Sequence, residues 1–165
     1  MLIFLDTEFT DFVRPELISI ALVSEDGREF YAERTDFQRD ACNDFVRETV
    51  LPLLGRVPGA ACSRLELTER LHEWFAQLPE PGIIVYDFGG DWLLLVAAIL
   101  GPTYRSPPDN LGEPLHLGGY CITHPVFERA QNNTYTQDWP PHHALADARA
   151  LMAGYRAWCP LMEKI

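Results

Sequence analysis

Five side chains in three short stretches of this chain carry groups that can hold divalent cations and move a proton. Asp6 and Glu8 lie in LIFLDTEFT, Asp91 in IIVYDFGGDWLLL, and His142 and Asp147 in PHHALADARAL. Residues i and i+2 of a strand project to the same face, so Asp6 and Glu8 can address one ion. Two carboxylates held side by side behind an apolar run repel one another unless a cation lies between them. Hard cations such as Mg2+ take carboxylate oxygens and keep room for water and substrate phosphate. Two such ions, about 3.5–4 Å apart, can clamp the attacking and leaving oxygens of an in-line displacement. Four carboxylates would balance the roughly +4 charge of that ion pair. An imidazole with the ordinary pKa of about 6.5 can take a proton from water at neutral pH. The set points to phosphodiester hydrolysis with two Mg2+ or Mn2+ ions.

Three elements must position these groups. Residues 1–5 are apolar and read as a buried strand that ends at the Asp6–Glu8 pair. Residues 83–86 read as a second strand, followed by a Gly89-Gly90 turn and an apolar helix over 93–100. Asp91 then fits the N-cap of that helix, which is its ordinary structural role as well as a place for a ligand. Asp87, four residues earlier, competes for the same metal position. The Pro140-Pro141 pair marks a helix entry. Behind it Ala144, Leu145, Ala148, Leu151, Met152 and Tyr155 recur at helical spacing and form one apolar face. Asp147 falls in the first turn, where the helix dipole favours an acid. On one continuous helix, five residues would set His142 and Asp147 far apart around the axis. The prolines instead leave His142 on a loop from which it can swing toward the ions, with His143 the alternative base.

The rest of the chain reads as α/β. Strands are expected over 2–6, 17–23, 28–33 and 82–86, the second and third joined by a Glu25-Asp26-Gly27 hairpin turn. Helices are expected near 40–50, over 64–78, over 91–100 and over 143–158. The second of these opens with a Ser63/Glu66 capping box and carries a stripe of Leu67, Leu71, Trp74, Phe75 and Leu78. Between Gly101 and Trp139, a Gly-, Pro- and Asn-rich stretch leaves room for a short strand or helix near 115–129 and a loop over 130–141.

DTEFT, Asp91 before an apolar helix, and HHALADA together resemble the three motifs of the DEDDh branch of 3'-5' exonucleases. That branch includes proofreading exonuclease subunits, RNase T and oligoribonuclease. The order and rough spacing match from residue 6 to about residue 155. LISIALVSEDGREFYAE is also similar to small single-domain bacterial RNase T-like exoribonucleases. Asp87 departs from the family pattern, in which that position is more often Asn. The resemblance implies a ribonuclease H-like, mixed five-stranded sheet flanked by helices, forming a single exonuclease domain over residues 1–165. By position it implies Asp6, Glu8, Asp91 and Asp147 as metal ligands and His142 as general base, with Glu8 also close to the reaction. It implies single-stranded RNA ends as substrate, with DNA as the alternative within the family, and allows a homodimer. Phe9, Thr10 and Phe12 beside the first motif are candidate substrate contacts. Phe12 matches a position that often carries an apolar wedge between the last two bases. A different class, a nuclease-like module that binds without cutting, is the other reading, but it gains nothing from four mutually repelling carboxylates.

Composition narrows the setting. Apolar residues make up 47% of 165, enough for one folded core and too many for broad disorder. Cys42, Cys62, Cys121 and Cys159 lack metal-ligand spacing and read as reduced thiols. No stretch is of membrane-spanning length, and the N-terminal run lacks the basic segment of a secretory leader, so the cytoplasm is expected. The net charge of −11 excludes a protein that tracks long duplexes by electrostatic attraction. A site that grips only a few terminal nucleotides remains compatible, because the ions supply local positive charge. Of the 13 basic residues all but Lys164 are arginines, which can hold phosphate in a bidentate manner. His116 and His124 have no ligand spacing and read as structural or surface residues.

Overall fold

In the computed structural model, which describes residues 1–162, the first apolar run is a central strand. β1 (Leu2–Phe9) runs antiparallel to β2 (Leu17–Ser24) on one side and parallel to β5 (Gly82–Tyr86) on the other. β2 turns tightly at Gly27, with φ of +91°, into the antiparallel β3 (Glu29–Arg34). β4 (Ala61–Cys62) joins the outer side of β3, and β6 (Leu111–His116) the outer side of β5, both parallel. The sheet order is β4-β3-β2-β1-β5-β6. This is a mixed α/β, ribonuclease H-like arrangement with six strands rather than five. The two residues of β4 are too few to leave a periodic trace in the sequence. Every residue of β2 is buried, as expected of a strand covered on both faces.

Helices cover both faces. α1 (Arg64–Ala76) and α2 (Gly89–Leu100) pack Leu67, Leu71, Phe75, Leu95 and Ile99 onto Ile3, Leu5, Ile20 and Leu22. α1 starts in the expected capping box: the Ser63 hydroxyl accepts from Glu66 N–H while the Glu66 carboxylate accepts from Ser63 N–H at 2.7 Å. The opposite face carries α3 (Gly119–Ile122), α4 (Pro125–Asn132) and α5 (Ala144–Met162) over Phe4, Val85, Ala21 and Val23. Side-chain alternation along β1 therefore splits its end. Asp6 and Glu8 follow Phe4 toward α5, and Thr7 follows Ile3 and Leu5 toward α2.

Three segments differ from their expected form. Residues 40–50 are not one α-helix but a 3-10 turn (Arg39–Ala41), a π-helical turn (Val46–Val50) and a second 3-10 turn (Leu51–Leu53). The segment is tied at both ends of a short loop: Asn43 N–H donates to the Thr10 carbonyl, and the Asn43 side chain accepts from Val46 N–H. The wider turn lets both Val46 and Val50 pack on Ile18, Phe37 and Cys42. α2 begins at Gly89, so Asp91 lies inside its first turn and is not the N-cap. Helix α4 continues to Asn132, into the stretch read as a loop. All four cysteines are free thiols, and no described helix is long and apolar enough to cross a membrane.

α4 and α5 meet closely at Gly154. A Cβ there would lie 2.5 Å from Cε1 of Phe127, a ring with no exposed surface. Gly154→Val should destabilise the protein by about 1–3 kcal/mol through overpacking, seen as a melting temperature lower by several degrees. A melting temperature unchanged by the substitution would mean that the helices do not meet there.

Candidate active site

The carboxylates gather at the C-terminal end of β1 in a cleft of about 370 Å³. Asp6 and Glu8 reach it from β1, Asp87 from the end of β5, Asp91 from the first turn of α2, and Asp147 from the first turn of α5. His142, on the loop before α5, closes one side. Oxygens of Glu8 and Asp147 and a ring nitrogen of His142 lie within 4.8 Å of one another. Phe9, Phe12, Phe45 and Phe88 line the rim.

Two of the acids are held by hydrogen bonds from elsewhere in the chain. Asp91 is 2% exposed and accepts a 2.6 Å hydrogen bond from the Thr7 hydroxyl. Thr7 points away from Asp6 and Glu8, so it anchors the α2 acid from the other side of the strand. Asp147 accepts from the His142 backbone N–H through Oδ2 at 2.8 Å. His142 makes that contact at φ +66°, in the left-handed region uncommon for a non-glycine residue. The His142 imidazole meets Phe45 edge-on at 5.0 Å. Thr7, Phe45, Phe88 and the neighbouring Tyr135 were not singled out in the sequence. Their partners are distant in the chain, and only the Asp-Thr-Glu order hinted at Thr7.

Two candidates from the sequence lie elsewhere. His143 is 2% exposed, stacks on Tyr31 at 4.8 Å and meets Trp139 edge-on at 5.1 Å. Burial, with Arg56 and Arg149 nearby, pushes its pKa down to about 4, so it is neutral at physiological pH and faces away from the cleft. Thr10 is fully buried. Its hydroxyl accepts from Glu16 N–H, closing the loop after β1. His124 caps α4, and the His116 ring bonds the Asp87 carbonyl at 3.0 Å.

Burial and mutual repulsion dominate the electrostatics. Burial first, then Asp147 and Asp91, push Glu8 up to about 8. Burial raises Asp91 to about 7 despite the Thr7 hydroxyl. Asp6 is raised well above the carboxylate range by burial and then by Asp147, Asp91, Glu8 and Asp87. Burial also raises Asp87 and Asp147, the latter offset in part by Tyr135 and His142. Asp6 Oδ2 and Asp147 Oδ1 are buried without any hydrogen-bond partner. Unpartnered buried oxygens in a cluster of hard ligands fit a divalent cation, which would supply the missing partner and the opposing charge.

The sign of the pH dependence follows. Between about pH 4, where free carboxyls ionise, and the raised values of about 7 and about 8, the folded protein binds more protons than the unfolded chain. Cation-free stability should therefore fall as pH rises from about 5 to about 8. Millimolar Mn2+ should flatten that decline by binding the ionised folded form. Asp6→Asn should raise the cation-free melting temperature and reduce the Mn2+ shift. Melting curves across pH, with Mn2+ and with chelator, test this; a Mn2+-indifferent wild type would sink the cation site.

No protein-family model matches the chain. Over 52 residues, 31% of its length, it is 52% identical to a protein named 3'-5' exoribonuclease in two strains of Mycobacterium tuberculosis. The matched stretch is likewise 31% of those relatives, so this partial likeness supports a relationship to 3'-5' exonucleases.

Proposed function

We propose that the protein is a metal-dependent 3'-5' exoribonuclease of the DEDDh type that removes nucleotides from single-stranded ends. The observation that carries this reading is the convergence of five acids and His142 from four separate elements on one cleft with an aromatic rim. The exoribonuclease name of the partial relatives supports RNA over DNA. A module that binds without cutting is disfavoured, since nothing in simple binding offsets the repulsion among Asp6, Glu8, Asp91 and Asp147.

Asp6, Asp91 and Asp147 would hold the catalytic cations, with Glu8 completing the set or orienting the terminal 3' hydroxyl. Bound Mg2+ or Mn2+ would polarise a water and offset charge on the departing 3' oxygen. His142 is the cleft-facing imidazole and would take the proton of the attacking water. Its loop position leaves the ring accessible. Its proximity to Glu8 and Asp147 also admits a ligand role, and the two roles separate experimentally. Phe12, 73% exposed, would stack on an unpaired base.

A 5'-labelled single-stranded RNA should shorten stepwise in Mn2+ and stall near a stable duplex. His142→Ala should slow this by about 10²–10⁴-fold while the Mn2+ thermal shift persists. Loss of that shift would make His142 a ligand instead. His143→Ala should lower stability, by opening a cavity beside Tyr31 and Trp139, and cost far less in rate. Internal cleavage of a circular single strand would exclude an exonuclease.

A further inference from the structure

Phe88 occupies a position where a helix start usually carries a small polar residue. It is the N-cap residue of α2, makes no side-chain capping bond, and accepts from Asp91 N–H through its carbonyl at 3.0 Å. Its ring folds back over the first turn. A Cβ on Gly90 would run into Cε1 and Cδ1 of the Phe88 ring. Gly90 is helical and has no left-handed backbone angle, so its conformation does not call for glycine. Alanine would give the more stable helix start. A side chain at position 90 would push the Phe88 ring from its seat, so glycine there permits this ring position.

Core packing does not explain the ring, which is 44% exposed and faces the cleft. It stacks on Phe9 with centroids 5.7 Å apart and planes 15° apart, and meets Phe12 edge-on at 6.0 Å. Phe12 also stands edge-on to Phe9 at 5.1 Å. Three rings thus form one rim beside the acids. Among the described residues no Lys or Arg lines this cleft, and the chain carries a net charge of −11. Cations held by the acids would meet the phosphate, and the rim rings are what this cleft offers to the bases. Every nucleobase offers a π-face, so aromatic rings bind unpaired bases with little regard to sequence.

We propose that Phe88, seated over Gly90 and backed by Phe9, is a base-stacking surface that sets the affinity of this site for an unpaired nucleobase. The proposal rests on the single-strand reading above. It deepens that reading by assigning a binding residue outside the three acidic motifs and a purpose to Gly90.

The test is a double-mutant cycle on a 5'-labelled RNA heptamer. Phe88→Ala and Gly90→Ala should each raise KM, the former by about 5- to 150-fold, with little change in kcat. Phe88→Tyr should retain the wild-type KM. In the Phe88→Ala background, Gly90→Ala should add nothing to KM and should raise the melting temperature. A heptamer with 3'-terminal 2-aminopurine, titrated in Ca2+ instead of Mn2+, should be quenched equally by wild type and Phe88→Tyr and clearly less by Phe88→Ala, in which Phe9 and Phe12 remain. Unchanged KM and quenching in Phe88→Ala would overturn the proposal, as would a full Gly90→Ala effect without the ring. A wild type that quenches 2-aminopurine through Phe88 yet releases no nucleotide in Mn2+ would support the stacking surface and overturn the hydrolytic reading.

Discussion

Mutual repulsion among buried carboxylates is the constraint around which this molecule is organised. Asp6, Glu8, Asp87, Asp91 and Asp147 share one cleft; burial raises all five, and neighbouring carboxylates add to it for Asp6, Glu8, Asp91 and Asp147. Such a cluster weakens the fold unless protons or cations neutralise it. Two of the acids are oriented by hydrogen bonds: Asp91 by the Thr7 hydroxyl and Asp147 by the His142 backbone N–H. These contacts orient oxygens without cancelling their charge, and they leave Asp6 Oδ2 and Asp147 Oδ1 unpartnered. A fully satisfied site would be more stable and would have less affinity for a dication.

The sheet makes the cluster feasible. β1 lies between β2 and β5, with helices on both faces, so its C-terminal end is held rigidly by apolar packing. Strand alternation sends Asp6 and Glu8 to the α5 side and Thr7 to the α2 side. One strand end thus serves helices on opposite faces. The Thr10 carbonyl then ties down Asn43, and with it the turn that carries Phe45 to His142. Four residues beyond Asp6, the chain is already building the opposite wall of the cleft.

Much of this was legible from local pattern. The apolar runs of β1, β2 and β5, the Ser63/Glu66 box and the stripe on α5 are short-range signals, and the elements formed where those signals stood. The N-cap role open to Asp91 falls instead to Phe88, and the Thr7 hydroxyl that Asp91 accepts from lies 84 residues away, beyond any local pattern. β4 has only two residues, and residues 40–50 take a π-helical turn to satisfy a pocket formed by Ile18, Phe37 and Cys42. The Asp6, Glu8, Asp91, His142 and Asp147 positions could be named from type and spacing. Spacing and the proline pair favoured His142 over His143, but the enclosure of His143 by Tyr31 and Trp139 left no local trace.

Asp147 divides its two oxygens between different tasks. Oδ2 pins the loop that holds His142 in a left-handed backbone, while Oδ1 stays buried and free. A cation drawn to the free oxygen would fix the carboxylate plane, and with it the loop that presents the imidazole. The influence would also run the other way, because coupling between two equilibria is reciprocal. A histidine loop already in place would favour the cation by the same factor that the cation favours the loop. One carboxylate would then link cation binding to the placement of the His142 loop.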